Sequence, residues 1–313
     1  MAPDPGGFRL VRGLESRRRP TALAIGNFDG VHRGHVRIVE DLLEGSREAG
    51  LAPSLLTFHP HPHVLFAPER PHRQLYSFRQ KMECLRAAGL SQVFVRRFDR
   101  AFSEVEPEAF LDLLHERLDI RLLILGQDYR FGHKRRGDAQ MLREDARRRG
   151  HRLVLMDDVA AGGERISSRR IRTLVGASDF ASAGALLGRP YCLEGKVVRG
   201  DGIGAKVLGF PTINLKGGWV PPCDGVFAAF ARIEGARDEI PAALSIGARP
   251  AVAGEGSVRI EAHLIGFEGD VYGRHASIRP EAKIREERDY AGMGALREAI
   301  AADVEEVSKL LGA

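Results

Sequence analysis

Residues 24–35 read AIGNFDGVHRGH. The apolar run from Thr21 to Ile25 stops in a turn rich in Gly, Asn and Asp, and a helical pattern begins where His32 and His35 bracket Gly34. A strand that turns directly into a helix presents unpaired backbone N–H groups and the positive end of a dipole, the natural seat for phosphate. Two imidazoles there add donors for charge that builds on a phosphoryl group, and Gly34 leaves the backbone open to a ligand. Stripped of that chemistry, the stretch is a strand-turn-helix junction with two surface histidines.

Around this stretch, strand-like and helix-like segments alternate. A helix over 33–48 with Val36, Val39, Leu42 and Leu43 on one face ends at Gly50. A strand over 53–58, a helix over 77–88 with Lys81, Leu85 and Ala88 in step, and a strand over 92–98 follow. A helix opened by Pro107 reaches Leu118, and then come strand 121–125, helix 138–149 and strand 152–156. This alternation predicts a Rossmann-like α/β unit on a parallel sheet, with ligands beyond the carboxyl ends of its strands.

Three further stretches occupy such positions. His59-Pro60-His61-Pro62-His63 is expected to be a loop, because its two prolines interrupt a regular helix. Its alternate histidines suit either a metal or plain polar presentation. Residues 126–132 read GQDYRFG: Asp128 offers a carboxylate and Phe131 either a flat stacking ring or a core plug. Ser167 and Ser168 head a helix, which capping alone would explain, and with Arg172 they are also equipped to grip a triphosphate. A last short helix, Phe180 to Leu187, is broken by Gly188-Arg189-Pro190.

Beyond residue 187 the texture changes to short strand-like runs separated by glycines, at 191–198, 226–233, 240–246, 257–267 and 271–278, closed by a helix over 293–311. That pattern predicts an antiparallel β-barrel with a terminal helix. Within it, residues 195–214 read GKVVRGDGIGAKVLGFPTIN. The glycines at 200, 202, 204 and 209 make either a phosphate-wrapping loop or a hairpin, without the Lys-Ser/Thr end of a Walker loop. Along the strand at 259–264, Arg259, Glu261 and His263 share one face, opposite Ile260 and Leu264.

A length of 313 residues suits two domains, placed at 1–187 and 188–313. The composition is 43% hydrophobic and 28% charged, no apolar run approaches membrane-spanning length, and the first 20 residues lack a secretory pattern. A cytoplasmic chain without membrane partners is expected. Cys84, Cys192 and Cys223 are scattered and odd in number, so reduced thiols without a structural metal are expected. The net charge of +5 fits polyanionic substrates, and the short basic runs lack the interleaved aromatics of a nucleic-acid site.

The GNFDGVHRGH string resembles the G-N-F-D-G-V-H-x-G-H signature of the bacterial bifunctional riboflavin kinase/FAD synthetases. Thr57 to Pro62 resembles the family's T-F-x-P-H-P loop, residues 126–132 its G-x-D-F-R-F-G with Tyr129 in place of Phe, and residues 166–172 its I-S-S-T-x-I-R with Arg169 in place of Thr. Residues 209–214 resemble its G-F-P-T-A-N with Ile213 in place of Ala, and residues 260–264 its V-E-V-H-L, followed by Gly266 where Asp is usual. The resemblance spans roughly residues 20 to 310. It implies ATP binding by Gly26, Asn27, Phe28, Gly34, Ser167, Ser168 and Arg172, flavin binding by Phe58, His61, Asp128 and Phe131, and adenylyl transfer assisted by His32 and His35. In the second half it implies ATP and Mg2+ held around Gly204, Lys206, Gly209, Thr212 and Asn214, with the last two as magnesium ligands and Glu261 as general base. The implied products are FMN and then FAD, from riboflavin and ATP. Partners are then small molecules, with a weak homo-oligomer left open. Two other readings fit the same residues: a chain that keeps one activity, most plausibly the kinase, and a non-catalytic flavin or nucleotide sensor.

Overall fold

The computed structural model describes residues 7–14, 17–67, 72–200, 210–216, 218–248 and 258–312. Gly204, Lys206 and Gly209 lie outside the described residues. Elements run β1 (Arg9–Arg12), β2 (Arg17–Ile25), α1 (Arg33–Ala49), β3 (Ala52–His59), α2 (Pro62–Phe66), α3 (Phe78–Ala87), β4 (Gln92–Arg97), α4 (Arg100–Ser103), α5 (Pro107–Arg117) and β5 (Leu118–Gly126). They continue with α6 (Ala139–Arg149), β6 (Arg152–Met156), β7 (Ala160–Ala161), β8 (Glu164–Arg165), α7 (Ser168–Gly176), α8 (Phe180–Leu187), β9 (Leu193–Val198) and β10 (Thr212–Lys216). The last are β11 (Gly225–Ile233), β12 (Ile240–Ala248), β13 (Val258–Leu264), β14 (His275–Arg285) and α9 (Met293–Leu311). Packing divides the chain into two units, residues 1–72 with 81–167 and residues 73–80 with 168–313.

The first unit holds a parallel sheet of order β1-β4-β3-β2-β5-β6. The chain winds away from β2 in both directions, so the strand order reverses beside it, and the loops leaving β2 and β5 flank that switch point. Apolar runs such as Ala22 to Ile25 and Leu122 to Leu125 are buried, as strands covered on both faces require. α1 covers one face through Val39 and Leu42, and α5 the other through Phe110, Leu111 and Leu114.

Most expected elements are present within a residue or two of their expected bounds. The loop expected at His59 to His63 is instead a strand end and a helix start. β3 ends at His59, a cis His59-Pro60 bond follows, and Pro62 opens α2. Proline blocks a helix interior but suits the first helical position, where its missing N–H would have no partner. Strand β1 was not expected, because four residues with Leu10 and Val11 adjacent between two arginines carry little signal. It pairs with β4, from Arg9 opposite Gln92 to Arg12 opposite Val95.

In the second unit six antiparallel strands close a barrel of order β10-β13-β12-β11-β14-β9. Closure removes exposed strand edges. Leu193, Phe227, Leu244, Ile260, Ala262 and Ile278 are buried in it. The strand expected at 271–278 begins instead at His275 and runs to Arg285, and β10 supplies a strand the glycine-rich context concealed. α9 packs on β11, β12 and β14, and Arg285 forks onto Asp303 at 2.8 and 2.7 Å. Phe180 of α8 meets Phe227 edge-to-face at 5.8 Å, so α8 packs with this unit. All three cysteines are free thiols, and among the described residues no helix is long and apolar enough to cross a membrane.

Candidate functional site

The turn after β2 is folded against backbone preference. Phe28 and Val31 have φ of +50° and +39°, with Gly30 at +78° between them. A β-branched residue in the left-handed region costs about 1–3 kcal/mol, and such strain persists where surrounding structure enforces it. Here burial enforces it: Phe28, Asp29, Val31 and His32 are all buried. His32 caps α1, its Nδ1 accepting from the His35 N–H at 3.4 Å, and the two imidazoles stack with centroids 3.6 Å apart. Phe28 lies 4.8 Å from the His35 ring. A Cβ on Gly34 would sit 3.2 Å from His32 Cε1 and Nδ1, so glycine keeps room for the imidazole pair.

From its spacing Lys81 was expected only on a helix face. Its ammonium is buried and donates to Asn27 O and to Thr57 Oγ1, each at 3.1 Å, while Thr57 Oγ1 donates to Asn27 O at 3.2 Å. Burial lowers its pKa to about 8, with Asp29 pulling the other way. The signal was present: a lysine on the apolar face of an amphipathic helix. His59 is also held below its ordinary pKa, by burial first and by Lys81 second.

Phe58 and Phe131 both lie in the core; Phe131 packs 5.8 Å from Phe110 and crowds Gly137. Asp128 is exposed and paired with Arg165 at 2.7 Å; that hydrogen bond leads the causes lowering its pKa. His61 caps α2 by accepting from the His63 N–H at 3.3 Å, and its ring stacks with those of His63 and His72 at 5.5 and 4.2 Å. Among the described residues, His59, His61 and His63 do not converge as a metal-ligand group. Ser167 is half-buried in the first unit. In the second unit Arg172 donates from Nε to Ser168 O at 3.2 Å and from Nη1 to Arg73 O at 3.4 Å. Arg169 is exposed on α7.

The second constellation lies on the barrel. β10 and β13 pair with Thr212 opposite His263 and Asn214 opposite Glu261. Directly opposed residues present side chains on the same face, so hydroxyl, amide and carboxylate stand together. Burial alternates accordingly: Ile213, Leu215, Ile260, Ala262 and Leu264 are buried, while Thr212, Asn214, Arg259, Glu261 and His263 are partly exposed. Arg259 pairs with Glu261 at 3.4 Å, and His263 Nδ1 lies 2.8 Å from Pro211 O. Ser245, opposite Glu261 on β12, donates to Glu287 Oε1 at 2.6 Å. A Cβ on Gly200 would sit 2.4 Å from Asn214 Nδ2, so that amide needs a glycine beside it.

Comparison with known proteins matches each half separately. A family model for FAD synthetase covers residues 14–170, and one for riboflavin kinase covers residues 187–311. The protein described as bifunctional riboflavin kinase/FMN adenylyltransferase in Escherichia coli (strain K12) is 36% identical over 302 residues, covering 95% of this chain and 96% of that protein. The chain belongs to this family. A Bacillus subtilis (strain 168) protein of the same description is 29% identical over 94% of this chain and 93% of its own. A solved Streptococcus pneumoniae structure, described as a macrolide-efflux protein, superposes with a TM-score of 0.74 at 24% identity, covering 96% of this chain and 98% of that one; it shares the fold. Against the family motifs, the departures avoid the assigned side chains. Ile213 points into the barrel core, and Gly266 sits in a turn at φ +70°, where glycine is unstrained.

Proposed function

We propose that this chain makes FAD in two steps from riboflavin and two ATP molecules. The register that sets Asn214 opposite Glu261, with Thr212 two residues along the same face, is the observation that carries this reading. In the barrel, Glu261 accepts the proton of the ribityl 5′-hydroxyl, whose oxygen attacks the γ-phosphorus of ATP and releases ADP and FMN. Thr212 and Asn214 supply a hydroxyl and an amide oxygen, donors that fit Mg2+, and a bound Mg2+ would neutralise charge on the transferred group. In residues 1–187, an FMN phosphate oxygen attacks the α-phosphorus of the second ATP and pyrophosphate leaves. The phosphate is itself the nucleophile, so His32 and His35 position the chain and balance charge, with Gly26, Asn27, Phe28 and Gly34 around ATP. Ser167, Ser168 and Arg172 hold the triphosphate tail.

His61 and Asp128 contact the flavin, and Phe58 and Phe131 shape its pocket from the core side. Gly204, Lys206 and Gly209, outside the described residues, are assigned to ATP binding by the kinase. We assign adenylyl transfer to residues 1–187 and the kinase to 188–313, in a cytoplasmic chain with small-molecule partners, no nucleic-acid role and at most weak self-association. Chromatography after incubation with riboflavin, ATP and magnesium tests this: FMN followed by FAD is expected. FMN alone would mean that the kinase is the surviving activity, and unchanged riboflavin would leave a binding protein.

A further inference from the structure

We propose that His115, Asp145 and His151 bind a divalent transition-metal ion of borderline softness, with Zn2+ as the representative, at the amino-terminal edge of the parallel sheet. One ligand atom from each side chain lies within 4.8 Å of the others, and two imidazoles with one carboxylate are a donor set suited to zinc. His115 stands in the last turn of α5 just before β5, Asp145 near the end of α6, and His151 between α6 and β6. Both β5 and β6 therefore start beside the cluster, whereas the loop carrying His32 leaves the carboxyl end of β2. In a parallel sheet these are opposite edges, so the cluster is separate from the nucleotide signature.

His151 is 7% exposed, and among the described residues neither of its ring nitrogens has a hydrogen-bond partner. An orphaned buried imidazole is costly, and a bound ion is one of the few things that explains it. Its ring lies 4.9 Å from that of His115, whose Nε2 is 3.0 Å from Asp145 Oδ2. Arg149 Nε and Arg148 Nη2 occupy the other carboxylate oxygen, Oδ1, at 2.7 and 3.1 Å. They hold Asp145 as outer-sphere partners hold a ligating carboxylate, and Asp112, paired with both arginines, offsets their charge. Metal–ligand lengths of about 2.0–2.2 Å set tetrahedral ligand atoms roughly 3.3–3.6 Å apart, so the 3.0 Å His115–Asp145 pair opens slightly and His151, within 4.8 Å of both, turns toward them. Two imidazoles also discriminate against magnesium, so this site does not compete for the ion that accompanies ATP.

The test uses the chelator-treated full chain titrated with Zn2+, and with Co2+ as a spectroscopic probe. One equivalent of Zn2+ should bind and raise the melting temperature, and Co2+ should give ligand-field bands without a thiolate charge-transfer band. His115→Ala and His151→Phe should each weaken binding by at least about tenfold, because each removes one of three protein ligands. His63→Ala, in the separate histidine stack, should leave binding unchanged. No stoichiometric binding, a thiolate band, or binding lost on His63→Ala but kept on His115→Ala would overturn the proposal. Should His151→Phe fail to fold, the half-buried His115 position decides alone.

Discussion

Lys81 keeps a cation where burial disfavours one, because two oxygens of the signature turn and the β3 strand meet its ammonium. Its folded pKa of about 8 lies below the ordinary 10.5, so the unfolded chain binds more protons between those values. Its contribution to stability is therefore lowest below pH 8 and rises with pH across that window. Lys81→Met should lose this slope: between pH 7.5 and 10, urea unfolding should shift in favour of the parent chain by on the order of 2–3 kcal/mol. Parallel curves would show that Lys81 titrates normally. At the reacting centres, His32→Ala should lower FMN-to-FAD turnover by about 10²–10³ and leave riboflavin phosphorylation intact. Glu261→Gln should do the reverse, lowering phosphorylation by about 10²–10⁴. Separate assays of the two half-reactions read both. The turn that carries His32 and His35 and the face that carries Glu261 were legible from local spacing, whereas the spacing around Lys81 gave only a lysine on an apolar helix face and not what its ammonium meets. It donates to Asn27 and Thr57, and the packing of α3 brings the three together.

Elements impose their own constraints on these groups. β9 and β10 meet where Gly200 leaves room for the Asn214 amide, so Gly200→Ala should displace a movable side chain without harming the barrel. Kinase turnover should fall while the melting temperature holds, a split visible by combining the phosphorylation assay with calorimetry. Gly132 is a harder constraint: at φ +70° its Cβ would lie 2.6 Å from the backbone N and Cα of Pro107. Gly132→Ala should therefore cost about 2 kcal/mol or more in denaturant unfolding, since neither backbone can yield cheaply. A near-neutral effect would mean that the loop after β5 is free to shift away from α5. Amphipathic spacing and Gly punctuation made α1, α5, α6, α8 and α9 readable, because their signals are local. β1 and β10 escaped because a strand of four or five residues is defined by its partner, and α2 escaped because a proline that breaks helices also starts them.

The two packing units do not follow the motif boundary. Residues 168–187 include Ser168 and Arg172, which we propose for the triphosphate, yet Phe180 packs on Phe227 and stacks 6.2 Å from Tyr191. A fragment starting at residue 168 should thus melt higher than one starting at 188, which loses this aromatic contact, and equal melting temperatures would contradict the packing. Alternating apolar periods were enough to specify a parallel α/β half followed by an antiparallel barrel, and residue alternation was enough to set Arg259, Glu261 and His263 on one face, since both depend on residues close along the chain. Which strands became neighbours, that Asn214 would face Glu261, that Phe131 would fill the core, and that His115, Asp145 and His151 would converge depended on contacts between residues far apart in the chain. Such pairings are selected by burial and register acting on the whole fold, and no local window of residues encodes them.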